Sequence, residues 1–128
     1  MMLVNTPVSL GELVDKISIL IVKQRNIVDQ NKLTQVNKEL ELLQKILFNH
    51  VTNDKISNYL NDLININSNL WKIEDDIRDC ERKKLFDDKF IELARNVYFT
   101  NDKRANIKLE INKNFGSELV EVKSYEKY

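Results

Sequence analysis

The chain reads as an all-α protein, a single helical domain over residues 1–128. The predicted form is a helical bundle with an N-terminal antiparallel helical hairpin, a long third helix, two shorter helices and an ordered extended C-terminal tail. Three observations predict it. Glycine occurs twice and proline once, which leaves few places to turn. Apolar residues recur at steps of three and four over long stretches, with no sustained alternation of the strand kind. A hydrophobic content of 42% beside 31% charged residues supplies both a core and a solvated surface. A domain of this length buries roughly two-thirds of its unfolded surface, so it needs neither metal nor disulfide to hold together.

The first helix starts at a clear signal. Pro7 keeps its neighbour extended, and Ser9 with Glu12 spells a Ser-x-x-Glu capping box. Leu10, Leu13, Ile17, Leu20 and Ile27 form its apolar seam, with Val14, Ile21 and Val28 beside it, a stripe wide enough for neighbours on two sides. Its end is expected near Asp29–Asn31, where polar residues run together. A second helix carries Leu33, Val36, Leu40, Leu43, Leu47 and His50, and the short connection makes the pair an antiparallel hairpin. Asn53 or Asp54 can cap the third helix. Its seam runs through Ile56, Tyr59, Leu63, Ile66, Leu70, Ile73, Ile77 and Cys80 in coiled-coil rhythm. Asp87 or Asp88 then caps a shorter helix, and Thr100-Asn101-Asp102 reads as the cap of another that stops at Gly116. The tail holds Leu119, Val120, Val122 and Tyr125, enough apolar surface to pack in extended form.

Charge and residue counts narrow the function classes. Lys+Arg and Asp+Glu are 20 each, so no net field draws nucleic acid or an anionic membrane. The start lacks a basic region followed by a long apolar run, and the run Ile17–Val22 is far too short to span a bilayer, so the expected location is the cytoplasm. A lone cysteine, Cys80, forms no intrachain disulfide, and its seam position points to a buried thiol. The single histidine, His50, has no triad partners around it, and neither a phosphate-binding glycine loop nor a Gly-x-Ser-x-Gly elbow is present.

Two polar sets stand out as candidate ligand-binding residues. On the third helix a stripe beside the seam runs Leu60, Ile64, Asn67, Trp71, Glu74, Arg78 and Glu81, apolar at first and then charged. It fits a helix flank emerging into solvent, with surface pairs of a few tenths of a kcal/mol. The alternative is a pocket floored by Trp71 and lined by Glu74, Arg78 and Glu81, although charge runs usually mark solvated faces. The second set is Arg95, Asn101, Asp102, Arg104 and Lys108, where a helix start and two cations four residues apart suit an anion. Ordinary capping with exposed basic residues fits the same set. Each set is over-charged for a packed face. Together they nearly balance, so residues 71–81 are expected to meet 95–108, with Lys123 and Tyr125 closing over them. Glu12-x-x-Asp15 has the spacing of a magnesium-binding carboxylate pair, but Glu12 has a capping role and no second pair faces it. No metal and no cofactor is assigned.

The blocks PVSLGELVDKISIL (7–20), LWKIEDDIRDCE (70–81), FDDKFIELARNVYFTNDKRANIK (86–108) and GSELVEVKSY (116–125) together resemble a family of small bacterial and phage helical proteins catalogued as a domain of unknown function, DUF6165. The resemblance implies membership and points to its polar positions. These are Glu12, Asp15 and Lys16, then Trp71, Glu74, Asp75, Arg78 and Glu81. The later blocks add Arg95, Tyr98, Asn101, Asp102, Arg104, Lys108, Lys123 and Tyr125. The family pattern has a second glutamate where this chain has Val122, so no role for a second carboxylate carries over there. The gene neighbourhoods of such proteins imply a link to surface-polysaccharide or phage metabolism. Three functional readings follow: a binding or assembly module, with a homo-oligomer through helix faces as the expected partner arrangement; an anion-binding domain for a nucleotide or phosphosugar; and a metal-dependent phosphohydrolase.

Overall fold

The computed structural model describes residues 1–128 and contains four helices and no strand: α1 (Leu10–Asn26), α2 (Gln30–Phe48), α3 (Asn53–Lys83) and α4 (Asp88–Asn114). No helix is long and apolar enough to cross a membrane. α1 is the central element. Its Val14, Ile17 and Leu20 pack with Val36, Leu40 and Leu47 of α2, Ile56 and Leu63 of α3, and Ile111 of α4. Burying such a side chain contributes about 1.5–3 kcal/mol, which makes this cluster the main source of stability.

Local chemistry sets the helix ends. Ser9 is extended at the start of α1, and its Oγ accepts the Glu12 N–H at 3.1 Å. Only this half of the expected capping box forms, because the Glu12 carboxylate reaches Lys108 on α4 instead. α1 stops at Asn26, short of the expected Asp29–Asn31, since Ile27 is extended and Asp29 instead caps α2 by accepting the Lys32 N–H at 3.0 Å. A short carboxylate stabilises a helix start more than a helix interior. Val28 is consequently exposed rather than part of the seam, and His50 lies in the turn after α2, also exposed. The cap position of α3 is Thr52, not Asn53 or Asp54. Its hydroxyl bonds to the Asp54 carboxyl and is the main reason that carboxyl sits below its usual pKa.

The two shorter helices predicted after residue 87 are one continuous helix, α4. Thr100, Asn101 and Asp102 lie inside it. Their helix propensities are each only about half a kcal/mol worse than alanine's, and no Gly or Pro is present to break the ladder. Asp87 provides the cap, accepting the Phe90 N–H at 3.3 Å. The stop at Gly116 is as predicted. Its φ is +65°, and the Ser117 N–H reaches back to the Asn112 carbonyl at 2.8 Å, a Schellman closure.

α1 meets α4 at Gly11. A Cβ there would lie 2.5 Å from the Lys108 carbonyl oxygen, and the Gly11 N–H donates to Asn112 Oδ1 at 2.7 Å. That close approach fixes α4 against α1 beside Glu12, Asp15 and Lys108. Beyond Asn67 the only buried residue of α3 is Cys80, and α4 buries nothing before Lys108. The halves of α3 and α4 joined by residues 84–87 are therefore thinly packed, with an edge-to-face Phe86–Phe90 pair at 5.2 Å near the connection.

The segment after α4 has no helix or strand, and the side chains expected to pack it, Leu119, Val120, Val122 and Tyr125, are exposed. Its attachments are polar and aromatic instead. Ser117 Oγ accepts the Leu10 N–H at 3.1 Å, Glu121 pairs with Lys108, and Tyr128 donates to Asp102 while its ring lies 5.2 Å from that of Phe99.

Candidate functional site

The polar centre of the molecule is Asp15, fully buried on the face of α1 turned toward α3 and α4. An isolated carboxylate there would be very costly, and three neighbours offset that cost. Asn67 Nδ2 donates to Oδ1 at 3.0 Å, and Arg104 Nε donates to the same oxygen at 2.9 Å. An Arg104 terminal nitrogen donates to Oδ2, completing a two-point clamp, and Lys108 Nζ stands 3.9 Å from Oδ2. Ser18 extends the network by accepting from Asn67 Nδ2 at 2.7 Å and donating to the Asp15 backbone carbonyl at 2.6 Å.

A second layer surrounds Lys108, itself buried. Its ammonium donates to Glu12 at 2.7 Å and lies 2.8 Å from Glu121, which Lys123 approaches at 3.8 Å. The shifts in pKa follow this geometry. The hydrogen bond to Asp15 raises that of Arg104. Burial alone pulls Lys108 down, but its bonds to Glu12 and Glu121 and the nearby Asp15 outweigh it, and the net direction is up. Glu121 is lowered, chiefly by its bond to Lys108.

Arg104 links this network to open space. Its third nitrogen reaches toward Asn101 Oδ1 at 3.5 Å, and 26% of its side chain remains exposed. The exposed edge lines a groove of about 480 Å³ between α1, α3 and α4, together with Trp71, Glu74, Arg78, Asn101 and Lys23. Glu74 and Arg78 form a solvent-facing pair at 3.4 Å. The groove therefore carries three cationic side chains, Lys23, Arg78 and Arg104, against two carboxylates, Glu74 and Asp75, around a single indole.

The expected meeting of residues 71–81 with 95–108 is thus partial. Trp71, Glu74 and Arg78 share the groove with Asn101 and Arg104. Glu81 does not join them and pairs with Lys84 in solvent at 3.4 Å. Arg95 points elsewhere on α4, its guanidinium 5.5 Å above the Phe99 ring. Lys108 and Lys123 line a small polar cleft of about 230 Å³ next to Arg104. Asp102 and Tyr125 lie around α4 in a separate cleft that also includes Asn101 and Lys123. Glu12 and Asp15 do share a helix face, as their spacing requires, but two cations already neutralise them, and no group of three or more His, Cys, Asp or Glu side chains converges anywhere.

Ser18, Asn67, Glu121 and Lys23 are the members that the sequence pattern did not mark as part of a site. Asn67 could have been found as the single polar residue between Ile64 and Trp71 on an otherwise apolar stretch of the stripe. Ser18 has no such signal, because a small polar residue beside a seam is common.

The fold and site define a class: a four-helix protein with a buried ionic network whose arginine opens on a polar groove. The chain belongs to the Family of unknown function (DUF6165), whose model matches residues 4–128. No curated protein matches the chain, and no solved structure does.

Proposed function

We propose that this chain is a binding module for a small phosphorylated ligand, with the groove between Trp71 and Arg104 as its receptor. The observation that supports this most is the clamp on Arg104. Buried Asp15 fixes two of its donors, so the remaining edge is presented to the groove without the entropy cost of ordering a free side chain. Lys23 and Arg78 add charge, and Trp71 offers a flat apolar surface for the rest of the ligand. The carboxylates nearest Arg104 are each held by a cation, which favours binding over acid–base chemistry or metal-dependent hydrolysis. Sugar phosphates and nucleotides, as used in surface-polysaccharide or phage metabolism, are the compounds to test first.

Trp71 is the only tryptophan, so its fluorescence reports on the groove directly. Titration with sugar phosphates and nucleotides should change that emission and raise the melting temperature. A ligand at a hundred times its Kd adds about 2.7 kcal/mol. Arg78→Ala and Lys23→Ala should weaken binding without unfolding the chain. A panel of phosphorylated metabolites that leaves both emission and melting temperature unchanged refutes the proposal.

A second reading, assembly through a helix face, draws on a different surface. Leu42 and Ile46 on α2, with Leu3, Val4 and Val8 of the preceding segment, line an apolar groove and are exposed. Light scattering tests it. A dimer that Ile46→Glu converts to monomer supports assembly, and a strict monomer removes it.

A further inference from the structure

We infer that the cleft between α4 and the C-terminal segment is a second subsite, which takes the uncharged, hydroxyl-rich ring of a sugar phosphate whose phosphate lies at Arg104. The inference rests on the groove reading above and specifies which ligand the groove serves. Its first support is adjacency. Asn101 lines the Trp71 groove, the polar cleft over Lys108 and this third cleft, so the three meet at one side chain. The third cleft measures about 810 Å³, room enough for a monosaccharide with its water.

The second support is the chemistry of its walls. Tyr98 and Tyr125 are exposed and present ring faces that can stack against the C–H face of a pyranose. Tyr128 is already positioned. Its ring centroid is 5.4 Å from that of Tyr98, and its hydroxyl donates to Asp102. Asp102 and Glu126 supply carboxylate acceptors. These seek O–H donors, which a sugar ring offers in number, and Lys123 and Lys127 balance their charge. Lys123 stands at the junction between the two clefts, 5.8 Å from the Tyr125 ring. The groove at Arg104 thus has a cationic excess, and the neighbouring cleft is aromatic and balanced in charge, which matches a molecule that is anionic at one end and hydroxylated at the other.

The third support is that core packing does not explain Tyr125. It is 81% exposed, and the apolar side chains of the same segment are exposed with it.

The test compares inorganic phosphate with glucose 1-phosphate by calorimetry and Trp71 fluorescence, on the full chain and on Tyr125→Ala and Tyr98→Ala. Tyr125 is exposed, whereas the Tyr98 ring also packs on Tyr128, so circular dichroism and the amide shifts of residues 118–128 verify that each variant keeps the fold and the attached segment. Glucose 1-phosphate should bind at least tenfold tighter than phosphate, and each variant should reduce that preference toward parity. Equal affinity for the two probes, or a preference that both variants retain, overturns the inference while leaving the groove reading intact. No binding of either probe removes both.

Discussion

Replacing Asp15 by Asn removes one charge from the buried network with almost no change in shape. The carboxylate accepts from Asn67 Nδ2 at 3.0 Å and Arg104 Nε at 2.9 Å on one oxygen, and from the Arg104 terminal nitrogen on the other. An asparagine keeps one acceptor and turns an N–H toward a donor. Removing one partner of a buried ion pair costs about 3–5 kcal/mol. Arg104 is a quarter exposed and recovers part of this from water, so about 3 kcal/mol is expected, out of a total of about 5–15 kcal/mol for a domain. With an m-value of about 1.5 kcal/mol/M, the urea midpoint should fall by about 2 M. The assay is urea unfolding followed at 222 nm, with Glu74→Gln as control. That change breaks only an exposed pair on α3 and should cost no more than about 0.5 kcal/mol. A loss for Asp15→Asn as small as the control's would refute the reasoning, because it would mean that water reaches Asp15 and screens the network.

Two further outcomes follow from the same geometry. Gly11→Ala should lower stability by about 1–3 kcal/mol, since its Cβ meets the Lys108 backbone oxygen at 2.5 Å and α4 must move away. Gly116→Ala should cost about 1–2 kcal/mol for a different reason, a positive φ of 65° with open space around it, and thermal melts of both variants at matched concentration give the comparison. The attachment of the C-terminal segment should depend on pH at both ends of the scale. Glu121 is lowered from its ordinary 4.5, so its contribution is fully present above that value and is lost as pH falls through the lower folded one. Lys108 is raised from 10.5, so its contribution is present below that value and is lost only as pH rises through the higher one. Amide chemical shifts of residues 118–128 should therefore hold from neutral pH down to 4.5 and move to disordered values below it. Random-coil shifts for that segment at neutral pH would show that Glu121 does not anchor it.

Much of the fold was legible because its determinants are local. Ser9 and Asp87 cap helices through atoms three residues away, Gly116 ends one through its own φ, and the apolar three–four steps mark which faces must be buried. The same locality explains the misreading at Thr100-Asn101-Asp102. A cap signal is also a set of residues tolerated mid-helix, and the choice is made by whether flanking turns pack, as Ile107 and Ile111 do against the core. The tail misled in the opposite sense. Leu119, Val120 and Val122 suggested apolar packing, yet Lys108, Asp102 and the Leu10 N–H hold the segment.

What the sequence by itself determined is the all-helical class, the start of α1, the outer ends of α4 and the set of polar residues that the core does not require. Only the tertiary structure decided how those residues divide. Arg104 and Lys108 sit one turn apart on α4 and look alike in the sequence. They differ because α1 brings Asp15 and Glu12 beneath them from 89 and 96 residues away. One becomes a clamped guanidinium facing a groove and the other a buried ammonium beneath the tail. The deciding quantity is desolvation, which depends on every element packed around a charge, and no stretch of chain carries that information alone.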